Sequence, residues 1–258
     1  MSERILYAGC PLCAAPDCVD WHSADCSRHA LYQPGLSAQI QWKRCRACAH
    51  VFTDGYYTEE ACRLIFARTH GAQQVGHDVE NQRLVSARMI DKVLPFIAAG
   101  PWLDVGFGNA SLLLTAREYG FEPIGIDLRA DNVGALSRLG VQAYCVALND
   151  LALVAPCAVI SMADVLEHMP YPKEGLSAAH RLLDDDGVLF VSMPNSESAV
   201  WLALDQGHSN PYWGEIEHYH NFSRSRLYAL LAETGFMPLR YGISERYRAG
   251  MEVIARKR

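Results

Sequence analysis

Trp102-Leu103-Asp104-Val105-Gly106-Phe107-Gly108-Asn109-Ala110-Ser111 is the stretch on which the reading of this chain turns. An apolar run ends at an acid, two glycines make a tight turn, and a helical pattern opens near Ala110. Glycine lets backbone approach a ligand, and the first turn of a helix offers N–H groups with no partner inside the helix. Further along, apolar runs at 122–128, 141–148, 157–165 and 187–195 alternate with helical patterns at 111–120, 130–140, 173–187 and 223–235. The apolar runs are continuous rather than alternating, which marks strands buried on both faces. Two more strands, 238–245 and 251–257, are joined by a short connection that permits an antiparallel edge pair. The expected fold is therefore α/β, a doubly wound, mostly parallel, seven-stranded sheet.

The second strand ends at Asp127, where an acid can accept hydrogen bonds from both hydroxyls of a ribose. A dinucleotide fingerprint would place a third glycine at 111, and this chain has Ser111. The acid ahead of the first glycine would repel a pyrophosphate, but it suits a ligand carrying an ammonium and a sulfonium. That chemistry points to S-adenosylmethionine (SAM). A plain strand-to-helix turn beside a solvated aspartate is the bland alternative.

Six of the nine cysteines stand before residue 50. Cys10-Pro-Leu-Cys13 and Cys45-Arg-Ala-Cys48 are two CxxC turns, and two such turns complete a tetrahedral structural zinc site. Residues 14–44 form a longer spacer than the roughly 15–20 residues of the common ribbon. Cys18, Cys26, His22, His29 and His50 could replace one member, and unmetallated thiols are the alternative. Cys62, Cys145 and Cys157 are scattered and read as thiols without chemistry. The expected organisation is a Cys-rich zinc-ribbon-like module over 1–52, a helical lid or linker over 53–94, and a cofactor-binding domain over 95–258. In the middle segment, 58–70 and 79–97 carry amphipathic helical patterns, with Tyr56, Tyr57 and 82–88 as lid elements.

Half the residues are apolar and 20% are charged, so the chain can bury a full core. A formal net charge of −6 argues against a broad basic surface for nucleic acid or anionic membrane. No apolar run approaches the ~18 residues a membrane span needs, and the first residues lack the apolar centre of a signal peptide. A cytoplasmic location is the default expectation.

Residues 101–197 resemble class I SAM-dependent methyltransferases. The glycine loop is similar to that family's first motif, and Asp127 matches its ribose-binding acid. Ser161-Met-Ala-Asp-Val-Leu-Glu-His168 resembles its fourth-strand segment with "LEH", and 187–195 its fifth strand. Glu217-His218-Tyr219-His220-Asn221-Phe222-Ser223 resembles the "EHxxxFS" element of a subgroup, some members of which carry an N-terminal zinc module and modify sugars. The resemblance implies a Rossmann-like methyltransferase fold. It places Asp104, Gly106 and Gly108 at the methionine end of SAM and Asp127 with Leu128 at the ribose. Met162 and Ala163 would lie near the cofactor, Leu148 or Asp150 would serve adenine because Ala147 stands where an acid is common, and Tyr57 would be an aromatic wall.

Methyl transfer needs alignment, a dry pocket and, for a hydroxyl or carbon nucleophile, a base. His218 and His220, with Glu217 to orient an imidazole, are the candidates. Simple packing of the segment as a lid is the alternative, and His168 reads as structural. The acceptor expected is a small molecule or a nucleotide-linked sugar, modified on oxygen or carbon. Three rivals stand beside this reading. They are an NAD-linked dehydrogenase, a non-enzymatic zinc-module interaction protein that senses SAM, and a methyltransferase of RNA or protein using Lys43, Arg44 and Arg46 as a small basic patch.

Overall fold

A computed structural model describes residues 3–66, 71–247 and 249–258. The chain divides into two compact units. The first combines Met1–Thr69 with Glu167–Pro172 and Pro194–Tyr228, and the second combines His70–Leu166 with Lys173–Met193 and Ala229–Arg258.

In chain order the first unit opens with strands β1 (Arg4–Leu6), β2 (Cys18–Asp25), β3 (Gln39–Cys45), β4 (Val51–Thr53) and β5 (Gly55–Tyr57), then helix α1 (Glu59–Phe66). The helix expected over 58–70 is thus seen to 66, and 67–70 lie outside the described residues. Next come α2 (Val79–Val93), β6 (Gly100–Val105), α3 (Ser111–Glu118), β7 (Phe121–Ile126), α4 (Ala130–Arg138), β8 (Gln142–Tyr144), β9 (Cys157–Ala163), α5 (Pro172–Leu182) and β10 (Leu183–Pro194). Helix α6 (Ala199–Gln206), β11 (His220–Asn221), α7 (Arg224–Glu233), β12 (Phe236–Ile243) and β13 (Gly250–Lys257) complete the chain.

The second unit holds the expected seven-stranded sheet, in the order β12-β13-β10-β9-β6-β7-β8. Pairs β10–β9, β9–β6, β6–β7 and β7–β8 are parallel, and β12–β13 is the antiparallel edge pair. The third strand is shorter than its apolar run, since only Gln142–Tyr144 pairs with β7. Strands β6, β9, β10 and β13 are mostly buried, as continuous apolar runs require. Trp102, Phe107, Leu113, Phe121, Leu136 and Phe190 fill the core. Gly125 sits where a Cβ would come within 2.7 Å of Phe107 and 2.8 Å of Leu136. Only glycine lets both side chains close on β7.

Strand order reverses between β6 and β9: β7 and β8 follow on one side, β9 and β10 on the other. In open α/β sheets the crevice at this switch point, outside the carboxyl ends of the strands, is where ligands bind. Asp104 and Ser161 are register partners on those two strands.

The first unit has a four-stranded sheet, β11-β4-β3-β2, and the antiparallel pair β1–β5. Its core gathers Trp42, Trp201, Trp213, Ile40, Leu31, Ile65 and Tyr57. Trp42 Nε1 donates to Trp213 O at 2.8 Å, so the buried indole is satisfied by backbone far away in sequence. None of its strands was expected from the sequence. Among the described residues no helix is long and apolar enough to cross a membrane.

Candidate functional site

Gly106 and Gly108 adopt φ of +64° and +53°, and Ala110 follows at +63°. This left-handed run turns the chain from the end of β6 into α3 and needs glycine at its first two bends. Asn109 Oδ1 accepts from Ser111 N at 3.1 Å, holding one N–H at the start of the helix. A Cβ at Gly108 would meet nothing within 4 Å, so space stands open above the loop.

Asp104 is 2% exposed and is the penultimate residue of the same strand. Trp102 Nε1 donates to Ser161 Oγ at 2.8 Å, and Ser161 Oγ donates to Asp104 Oδ1 at 2.6 Å. Burial pushes the carboxyl up to about 6 against the Ser161 hydrogen bond and the charge of Arg246, with Asp127 and Asp164 adding repulsion. A carboxylate in that state is restored to full ionisation by a cation placed against it.

Asp127 closes β7 and is 5% exposed. Arg129 Nε donates to Asp127 Oδ1 at 2.8 Å and Arg129 Nη2 to Oδ2 at 2.7 Å, a bidentate pair. Arg129 Nη1 donates to Gln73 Oε1 at 2.6 Å, and Asn132 Nδ2 donates to Gln73 O at 2.8 Å. The segment 71–77 is tied to the glycine loop by Gly76 N to Asn109 O (3.1 Å) and Asn109 Nδ2 to His77 O (2.9 Å). Leu128 is 76% exposed beside Asp127, an apolar face offered to a flat ring. Leu148 is buried at the start of a single 3-10 turn that ends at Asp150. Met162 is fully buried within β9 and Ala163 nearly so. The structure therefore gathers Asp104, Gly106, Gly108 and Asp127 around the switch point, with Met162 and Ala163 in the adjoining strand.

The sequence reading missed Asp164, Ser161, Arg129 and Arg246. Asp164 stands one residue past β9, as Asp127 stands past β7, and that parallel was legible. It holds φ +58°, accepts from Ser192 Oγ at 3.1 Å, and faces Arg246 Nη1 at 3.6 Å. A non-glycine residue in that region is uncommon and concentrates at functional sites.

Tyr57 is buried in the first unit's core, with the Arg4 guanidinium 4.0 Å above its ring. Also in the first unit, the two expected metal knuckles have the same geometry. Ala14 N donates to Cys10 O at 2.8 Å and Ala49 N to Cys45 O at 3.0 Å, with Ala14 and Ala49 both near φ +60°. Cys10 Sγ and Cys48 Sγ lie 3.6 Å apart, as do Cys13 Sγ and Cys45 Sγ, and all four sulfurs fall within 4.8 Å of one another. Sulfurs at about 2.3 Å from a tetrahedral zinc are about 3.8 Å apart, so the donor set fits that ion. Cys18 and Cys26 stand outside the cluster, each donating to a backbone carbonyl.

The histidines of the first unit differ sharply from one another. His220 is 1% exposed and has both ring nitrogens engaged: Nε2 donates to Met169 O at 2.8 Å, so Nδ1 accepts from His50 Nε2 at 3.0 Å. Burial pushes His220 down to about 4. His218 is 8% exposed, and burial, then His168, His29 and His220, hold it well below the ordinary imidazole range. Its Nδ1 is buried without a hydrogen-bond partner. Glu217 orients an imidazole through its backbone, since Glu217 O accepts from His168 Nδ1 at 2.9 Å.

Residues 77–240, more than half of the chain, match the family model described as a methyltransferase domain. The chain belongs to the methyltransferase domain family. Over 108 residues the chain is 32% identical to the ubiquinone biosynthesis O-methyltransferase of Idiomarina loihiensis, covering 39% of this chain and 44% of that protein. The enzyme of the same name from Chromobacterium violaceum is 30% identical over 114 residues, 41% of this chain and 49% of that one. The chain thus spans less than half the length of these curated relatives. The fold is shared with 1,6-didemethyltoxoflavin-N1-methyltransferase of Burkholderia thailandensis, solved with its substrate and S-adenosylhomocysteine (TM-score 0.59, 18% identity, 86% of this chain and 97% of that one). It is shared too with magnesium protoporphyrin IX methyltransferase of Synechocystis PCC 6803, solved with SAH (TM-score 0.56, 19% identity, 75% and 93%).

Proposed function

We propose that this chain is a SAM-dependent methyltransferase acting on a small molecule or nucleotide-linked sugar, at oxygen or carbon. The observation that carries the reading is Asp104: a buried carboxyl, raised to about 6, at the sheet's switch point beside an open glycine loop. SAM would supply a methyl carbon on a sulfonium, open to in-line displacement. Asp104 would take the cofactor's ammonium, the backbone of 106–108 its methionine end, and Asp127 its ribose hydroxyls once Arg129 gives way. Leu128 would cover one face of adenine, with Leu148 and Asp150 nearby in sequence to the third strand. Of the two histidines of the 217–223 element proposed as base, His218 has a ring nitrogen without a hydrogen-bond partner and His220 does not, which favours His218 as the base.

Two relatives whose names specify O-methylation support an oxygen acceptor. Cys10, Cys13, Cys45 and Cys48 would hold a structural zinc, supported by their spacing and paired knuckles. The RNA alternative gains nothing from the basic residues by the second knuckle. Lys43 pairs with Asp20 at 2.9 Å, Arg44 lies 4.6 Å over the Trp21 ring, and Arg46 faces Asp17 at 3.7 Å. Two of the three charges thus face carboxylates.

The test supplies methyl-labelled SAM and a cell extract to the full chain. Label in the low-mass fraction is the expected result. Label in RNA or protein overturns the acceptor, and no transfer by folded protein overturns the activity.

A further inference from the structure

Among the described residues a second group of potential metal ligands exists besides the four cysteines. An imidazole nitrogen of His168, one of His218 and a carboxylate oxygen of Glu167 lie within 4.8 Å of one another. All three residues belong to the first unit. We propose that Glu167, His168 and His218 form a second metal centre, a two-histidine, one-carboxylate site for a divalent first-row cation.

Four observations converge on it. The composition is that of open metal sites, in which three protein ligands leave room for water or substrate. His168 Nδ1 donates to Glu217 O, so its Nε2 keeps the lone pair a metal requires, and a backbone carbonyl is a usual orienting partner for a ligating imidazole. His218, more than nine-tenths buried, holds Nδ1 away from water with no hydrogen-bond partner. A buried polar atom in that state is costly until something fills the site. Glu167, 1% exposed, brings a carboxylate oxygen into the same volume as the two imidazole nitrogens.

The frame around the three ligands is built before any ion arrives. Tyr219 N donates to Glu167 O at 2.9 Å, His168 Nδ1 to Glu217 O at 2.9 Å, and His220 Nε2 to Met169 O at 2.8 Å. Three hydrogen bonds thus stitch 167–169 to 217–220 and fix the two histidine rings 4.8 Å apart at 78°. Such rigid support is what a ligand set needs for defined geometry. Hard or borderline donors of this kind suit zinc, iron or manganese, whereas the four thiolates select zinc. The two sites therefore divide by chemistry, one closed and sulfur-only, the other mixed and open.

The catalytic use of the ion rests on the methyltransferase reading. There, His218 would act as ligand instead of base. The presence of the ion does not rest on that reading.

The experiment titrates cobalt(II) into the full chain after one equivalent of zinc has filled the thiolate site. Visible ligand-field absorption for one further equivalent, without thiolate charge-transfer absorption in the near ultraviolet, is expected. His218→Ala and Glu167→Gln should each weaken uptake tenfold or more. In the unaltered chain, proton NMR should show downfield exchangeable imidazole N–H signals from cobalt-bound histidine, a readout that needs no variant to fold. Cobalt uptake with thiolate bands alone, or the absence of shifted imidazole signals, overturns the proposal. Unchanged uptake in folded His218→Ala overturns it as well. SAM titration of the same samples separates failure of this site from failure of the methyltransferase reading.

Discussion

The two units of the chain are encoded in different ways. The second reads almost directly from sequence. Its strands are continuous apolar runs, its α3 and α4 stop beside Gly120 and Gly140, and Asp104 and Asp127 mark the ends of neighbouring strands. The first is gathered from three stretches, and its cohesion comes from residues distant in sequence. Trp42 bonds to Trp213, His50 to His220, and Tyr7 to Pro170. Local periodicity specifies a layered α/β sheet, because each element alone declares which face it buries. A small unit with a thinner core depends on side-chain identities that pair across long intervals, and on a metal where cysteines allow one.

The largest effect should break that contrast at the four clustered cysteines. Cys45→Ser is expected to abolish zinc retention and strip hydrogen-exchange protection from β3 and β4, while β6, β9 and β10 stay protected. Structural zinc contributes on the order of 10 kcal/mol in small modules, so loss of one ligand should be decisive. Uniform protection in the variant would show that the first unit does not depend on the four thiolates.

Asp104→Asn sharpens the contrast from the other side, since it separates function from stability within one residue. Losing the charge partner of a buried cation should weaken SAM binding about 100-fold, the lower end of the effect of truncating buried charged pairs. Stability should move the opposite way. The folded carboxyl titrates near 6 against 3.8 in the unfolded chain, so its contribution is full below pH 3.8 and is lost as pH rises to about 6. At pH 7 the variant should be more stable by about 3 kcal/mol, from about 1.4 kcal/mol per pH unit. Denaturant titrations at pH 4 and pH 7 check the sign, and a variant less stable at pH 7 would refute it.

Arg129→Ala tests whether Asp127 is held closed. Arg129 occupies both carboxylate oxygens that a ribose would use. Its removal should tighten SAM binding by about threefold to tenfold, the scale of a single competing hydrogen-bonded pair. Weaker binding would mean that Arg129 itself contacts the cofactor. The smallest effect belongs to the surface. Lys43→Ala removes a pair with Asp20 whose aspartate is largely exposed, and stability should change by less than about 0.5 kcal/mol.

The limits of the sequence show in particular residues. His218 and His220 sit in one short motif, and both were candidates on paper, with His218 ahead. Their difference comes from Met169 and His50, which engage His220 from segments that the sequence gives no means of aligning. Strand β2, Cys18–Asp25, went unforeseen because most of its residues are exposed, so no buried alternation marks it. Arg129 was passed over since a pair two residues apart is not helical spacing, and only the turn after β7 folds it back onto Asp127. The cysteine pairs, by contrast, were fully legible, because the CxxC turn is a local geometry that carries its own chemistry.

The most direct test of the central claim is calorimetric titration of SAM into the full chain, in buffers of different ionisation enthalpy from pH 5 to 8. Micromolar binding is predicted, with release of a proton near pH 6 as the cofactor's ammonium ionises Asp104, and with both features lost in Asp104→Asn. Absence of SAM binding by folded protein, or heat with NADH in its place, would contradict a cofactor site built on Asp104 and the glycine loop.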